Sequence, residues 1–98
     1  MSIILDKIEG FEWDEGNSDK NQKKHQVSRR ECEEIFFNQP LLMLPDPTHS
    51  QKEQRYHALG HTDHDRFLFL TFTVRRDLIR VISARSMSKK EKIFYEKQ

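Results

Sequence analysis

The sequence predicts an α+β domain, with helices packed on one face of a mostly antiparallel sheet, and three observations predict it. Residues 66–75 (RFLFLTFTVR) alternate: Leu68, Leu70, Phe72 and Val74 fall on one side of a strand, and Phe67, Phe69, Thr71, Thr73 and Arg75 on the other. A second strong strand, Leu78 to Arg85 (LIRVISAR), follows immediately after the tight turn Arg76-Asp77. Two S-x-x-E capping boxes, Ser28 with Glu31 and Ser88 with Glu91, open one helix before these strands and one after them.

Taken in order, Ile3 to Leu5 and Phe11 to Trp13 read as one bulged strand or a hairpin broken at Gly10. Asn17 or Ser18 caps a short polar helix running to about His25, with little apolar surface to bury. The helix opened by Ser28 is better specified: Val27 and Cys32 are spaced as a hydrophobic staple, and Cys32, Ile35 and Phe36 make the stripe of a half-buried helix. Asn38 to Pro40 ends it. Leu41 to Leu44, an apolar run between two prolines, suits an edge strand. Asp46 to Gln54 is a loop, Arg55 to Gly60 a strand, and His61 to Asp65 the turn into the strand of residues 66–75. The order is β-α-α-β-β-β-β-α. One face of such a sheet stays partly open and can hold a site.

Ninety-eight residues with 35% apolar content support one domain with a thin core. A single cysteine, Cys32, leaves no internal disulfide to form and suits a reducing cytoplasm. No apolar run reaches the roughly 18 residues of a membrane span. The start, MSIILDKIEG, lacks the basic lead and long apolar stretch of a secretory signal, so a soluble cytoplasmic protein with no membrane partner is expected. The net charge of +1 hides an asymmetry: residues 75–98 hold eight Lys/Arg and three acids, and the rest nine and thirteen. A basic end can meet phosphate, and it can equally be a solvated helix face.

The histidines raise a metal site first. His57, His61 and His64, with Asp63 and Asp65, match no strong ligand spacing, and turns favour Asp on their own account, so no metal is assigned. Cys32 lies on its helix's apolar stripe, where a small buried thiol is the common outcome. With only Gly10, Gly16 and Gly60 there is no phosphate-cradling loop, and no nucleotide or other cofactor is expected. A cationic set remains: Arg55, Arg75, Arg76, Arg80 and Arg85. Arginine inside a strand needs a partner or an open surface, and Arg80 and Arg85 interrupt an apolar run. Cutting RNA needs no cofactor. A 2′-hydroxyl must lose a proton, a phosphorane must be stabilised and the leaving 5′-oxygen must gain a proton. Arginines can clamp the phosphate oxygens. They can also simply pair with the chain's many carboxylates.

Several segments, in order, resemble the BrnT family across some 85 residues. They are F-E-W-D at Phe11–Asp14; Asn21, Lys24-His25 and Val27-Ser28; H-S at His49-Ser50; R-Y-x-A-L-G at Arg55–Gly60; F-T-x-R at Phe72–Arg75; and I-R-V-I-S-A-R at Ile79–Arg85, with Lys89, Lys90, Glu91 and Tyr95-Glu96 behind. The resemblance implies a RelE-like fold and a ribonuclease toxin that cuts RNA without a metal. It implies a cognate BrnA-like antitoxin that neutralises the toxin in a heterotetramer and alone contacts operator DNA. By the same resemblance Arg75 and Arg85 hold the scissile phosphate, Arg55 assists, and Lys24 with His25 moves protons or binds the backbone. Arg76, Arg80 and Lys20 would contact RNA. Trp13 and Tyr95 are more often core or rim aromatics than base platforms. One position departs: the family's usual lysine soon after F-E-W-D is Asn17 here, with Lys20 three residues on. That departure and the near-neutral charge favour the alternative, a catalytically inactive homologue that binds its antitoxin or serves as an adaptor.

Overall fold

Strand β4 (Phe67–Arg75) pairs antiparallel with β5 (Leu78–Ser86) and β3 (Arg55–His61), and these long strands organise the rest of the chain. In the computed structural model, which describes residues 7–13, 25–49 and 53–98, they are flanked by β2 (Leu42–Pro45) and β1 (Gly10–Glu12). The sheet order is β1-β5-β4-β3-β2. Among the described residues only the β1–β5 pair is parallel, so the sheet is mixed and mostly antiparallel. Helix α1 spans Arg29–Ile35, a 3₁₀ turn spans Pro47–His49 and helix α2 spans Lys89–Glu96. Among the described residues no helix is long and apolar enough to cross a membrane.

Both capping boxes form as the spacing predicts. The Ser28 hydroxyl accepts from the Glu31 N–H while the Glu31 carboxylate accepts from the Ser28 N–H, and Ser88 with Glu91 repeats the arrangement. The staple residues Val27 and Cys32 are both buried in one core cluster, joined there by Ile35. Burial pushes the Cys32 thiol up to about 12, so it stays a neutral packing group. From the sheet come Leu68, Leu70 and Phe72 of β4, Ile79, Val81 and Ala84 of β5, and Ala58 of β3. Gly60 lets the strand approach the helix: a Cβ built there would stand 3.0 Å from the Ile35 Cβ.

The boundaries differ in instructive ways. Gly10 is the first residue of β1, where it pairs with Leu78. The proposed strand at Ile3–Leu5 and the helix from Asn17 or Ser18, except for His25 at its end, fall outside the described residues. α1 stops at Ile35, capped by Phe36, before Asn38 is reached. The apolar run before Pro45 is an edge strand as read, shifted to include that proline, and His61 belongs to β3. Arg76 and Asp77 both adopt positive φ (52° and 63°), the geometry of a two-residue hairpin turn matched to strand twist.

Two findings concern the faces. The expectation that the helices share one face does not hold. α1 covers the core face, whereas α2 reaches side chains of the opposite one: Tyr95 meets Phe67 at 5.8 Å, Lys92 sits over the Phe67 ring, and Glu91 binds Arg85. The carboxylate that caps α2 is also the partner of Arg85, and this pairing draws the helix to Arg85's side. The second finding is a bulge. Thr71 faces Ser83 but Phe72 faces Val81, which leaves Ile82 as an extra residue in β5. Strict alternation would put Arg80 and Arg85 on opposite faces and drive one into the core. The bulge turns both out onto one surface, while Val81 and Ala84 both stay buried.

Candidate nucleic-acid interface

The face of the sheet opposite α1 carries three cross-strand rows. The first is Arg55, Thr73 and Arg80, aligned by the register of β3, β4 and β5. With strands about 4.8 Å apart, the two arginines are rooted about 10 Å from one another, and Arg75 stands two residues further along β4. Arg75 donates from Nε and Nη2 to Glu53 at 2.9 and 3.0 Å. Those bonds hold the Glu53 carboxyl below its ordinary range, and the charges of Arg55 and Arg80 add to the effect. Arg80 lies 3.5 Å from the Glu12 carboxylate of β1. Three guanidinium groups thus gather around two carboxylates at one end of the face.

The second row is His57, Thr71 and Ser83. His57 Nδ1 is 3.1 Å from Thr71 Oγ1, and its Nε2 is 3.3 Å from Asp46 Oδ2. Asp46 is only 6% exposed. It is brought there because its N–H donates to the Arg55 carbonyl, carrying the β2–β3 pairing one step past Pro45. The third row is Leu59, Phe69 and Arg85. The His57 ring lies 4.8 Å from the Phe69 ring, and the Arg85 guanidinium lies 4.3 Å from it. Arg85 also forks onto Glu91 at 2.7 and 2.8 Å, which raises the arginine and holds the Glu91 carboxyl down at about 2.

The residues named from sequence therefore divide. Arg55, Arg75 and Arg80 come together. Arg85 is opposite Phe69, six residues along β4 from Arg75 or about 20 Å at strand spacing, and its guanidinium is turned to Glu91. Arg76 is exposed in the hairpin turn. His25 lies near Arg66, whose guanidinium donates to the His25 and Gln26 carbonyls, Glu31 and the Ser86 hydroxyl. That places His25 by the Arg85 end of the sheet. Lys20 and Lys24 are outside the described residues. Trp13 and Tyr95 are structural: Trp13 donates to Glu33 at 2.7 Å, and the Tyr95 hydroxyl donates to the Pro40 carbonyl.

From sequence His57 stands out only as a candidate metal ligand, and no motif gives Asp46, Glu53 or Arg66 a role. Alternation along β3 does place His57 beside Arg55 on one face, and that signal was available. Nothing local in P-D-P at Pro45–Pro47 announces that Asp46 folds back on His57. Among the described residues no group of three or more His, Cys, Asp or Glu side chains is arranged to hold a metal ion.

The model of the family described as "Ribonuclease toxin, BrnT, of type II toxin-antitoxin system" matches residues 13–91. The chain belongs to the BrnT family. No curated protein matches it. The matched span covers β3, β4 and β5 and so every residue of the three rows. BrnT membership suggests a ribonuclease toxin and implies an antitoxin as its partner.

Proposed function

We propose that this BrnT chain is a metal-independent endoribonuclease toxin of RelE-like fold, which cuts RNA on the open sheet face and arrests growth in the cytoplasm. The observation that carries the reading is the convergence of Arg55, Arg75 and Arg80 on one end of that face, in a chain of a ribonuclease-toxin family. Guanidinium groups in this arrangement bind nonbridging phosphate oxygens and stabilise the charge that builds on the phosphorane. Arg76 extends the cationic surface into the turn, and Arg85 with Phe69 extends it the other way. Lys20 and Lys24 would add backbone contacts. A BrnA-like antitoxin would neutralise the toxin in a heterotetramer and carry the contact with operator DNA.

The test is cleavage of RNA by the purified chain in excess EDTA. Cutting is expected, and Arg55→Ala or Arg80→Ala should each slow it by about 10²-fold or more, as losing one preorganised donor to a charged transition state does. Expression alone should arrest growth, and co-expression of the antitoxin should restore it.

A specific observation favours a second reading, in which the chain binds its antitoxin without cutting RNA. Arg75 and Arg85, the two arginines the family resemblance assigns to the phosphate, are each forked onto a carboxylate. Harmless expression, together with recovery of an antitoxin on the purified chain, would decide for this reading.

A further inference from the structure

We infer that His57 is the proton-transfer residue of RNA cleavage and that buried Asp46 is its positioning residue, an assignment resting on the ribonuclease reading above. His57 occupies the middle row of the open face, between the arginine cluster and the Phe69–Arg85 row, and its side chain is 27% exposed. Its two nitrogens are distinguished by their neighbours. Nε2 faces the Asp46 carboxylate, which only accepts, so Nε2 carries the proton and Nδ1 presents its lone pair. Nδ1 faces Thr71 Oγ1 at 3.1 Å, the distance of a hydroxyl donating to it. A basic imidazole nitrogen is thus already aimed at a hydroxyl group, one row from Arg55 and Arg80. An RNA 2′-hydroxyl that takes the place of the Thr71 hydroxyl, with its phosphate on those arginines, meets the same nitrogen.

The step balances without a co-reactant other than water. The 2′-hydroxyl proton passes to His57 Nδ1, the 2′-oxygen forms a bond to phosphorus, and the bond from phosphorus to the 5′-oxygen breaks. The departing 5′-oxygen takes a proton from water, leaving a 2′,3′-cyclic phosphate and a 5′-hydroxyl. The resulting imidazolium is stabilised by Asp46 and returns its proton to solvent. Phe69, against the His57 ring, fixes the plane in which the imidazole lies. Among the described residues, the charged groups set near His57 on this face are Asp46 from the β2 end, Arg55 on its own strand, and Arg80 and Arg85 from β5 in the neighbouring rows. His25, which the family resemblance put in the proton-transfer role, lies instead at the Arg66 end of the sheet.

The experiment measures single-turnover RNA cleavage from acid to mildly alkaline pH for the full chain, His57→Gln and Asp46→Asn. Binding is measured in parallel on RNA with a 2′-deoxy substitution at the cut site. His57→Gln should slow cleavage by about 10²–10⁴-fold with RNA affinity unchanged. Asp46→Asn should cut more slowly with RNA affinity unchanged, because the imidazole loses the carboxylate that fixes which of its nitrogens carries the proton. Free imidazole should restore part of the activity of His57→Ala, which a merely structural role would not allow. An active wild type with an equally active His57→Gln overturns the assignment and leaves the ribonuclease reading standing, as does parallel loss of binding and cutting without imidazole rescue. A wild type that never cuts RNA overturns the ribonuclease reading, and the assignment with it.

Discussion

At the residue scale, one carboxylate often serves two ends. Glu91 caps α2 and forks onto Arg85; Glu31 caps α1 and takes Arg66, so that burial's upward push on its carboxyl is outweighed by the Ser28 N–H and Arg66. Replacing Glu91 with Gln should cost about 1–2 kcal/mol, the loss of a charge-assisted fork and part of a cap, read by urea unfolding near neutral pH. Because folding lowers the Glu91 value from 4.5 to about 2, its stabilisation is complete above 4.5 and is lost as pH falls toward 2. Wild type should therefore lose more stability than Glu91→Gln across that window. His61 has the opposite sign. Its Nε2 lies 2.9 Å from the Gln39 carbonyl and its Nδ1 3.1 Å from the Thr62 carbonyl, and the Gln39 bond is the main reason its value rises above 6.5. Its contribution is fully present below 6.5 and fades as pH climbs through the raised folded value. Thermal melts of His61→Asn should lack that decline.

At the element scale, the contact of β3 with α1 and the β4–β5 hairpin set the geometry of the face. A methyl at residue 60 would meet the Ile35 Cβ at 3.0 Å and the Ile35 carbonyl at 3.3 Å, and Ile35 is fully buried with nowhere to retreat. Gly60→Ala should cost about 1–3 kcal/mol by overpacking, measured by denaturant midpoint. The hairpin turn holds Arg76 and Asp77 in a left-handed backbone region that side chains adopt at a cost. Changing the pair to Asn-Gly should stabilise the chain by about 1 kcal/mol. A fall in RNA affinity on the same change would assign the exposed Arg76 to binding.

At the scale of the whole molecule, the sheet separates two tasks by face. One side buries Ile35, Leu68, Leu70, Phe72 and their neighbours beneath α1; the other arrays cations, a histidine and an aromatic ring, with α2 closing one end. Screening should follow this division. RNA affinity should fall steeply with added salt, and the slope should be shallower in the Arg55→Ala, Arg80→Ala double variant because fewer phosphates are neutralised. Core packing is not charge-based, so unfolding midpoints should respond far less to the same salt.

The sequence by itself determined what depends on neighbours along the chain. Both capping boxes, the staple at Val27 and Cys32, the alternation of residues 67–75 and the turn at Arg76-Asp77 were legible because each is fixed by spacings of a few residues. Ordered motifs likewise carried the family, which a long matched span bears out. The tertiary structure decided what depends on register and long-range contact. The extra residue at Ile82 set Arg80 and Arg85 on one face, although their odd spacing predicts opposite faces. The Arg85–Glu91 fork took α2 to that face, whereas the sequence predicts the helices on one face of the sheet. The placement of Asp46 beside His57 arises from a strand pairing that continues past a proline, and no periodicity encodes it. Alternation can tell which residues share a side of one strand; only the pairing of strands tells which residues of different strands meet.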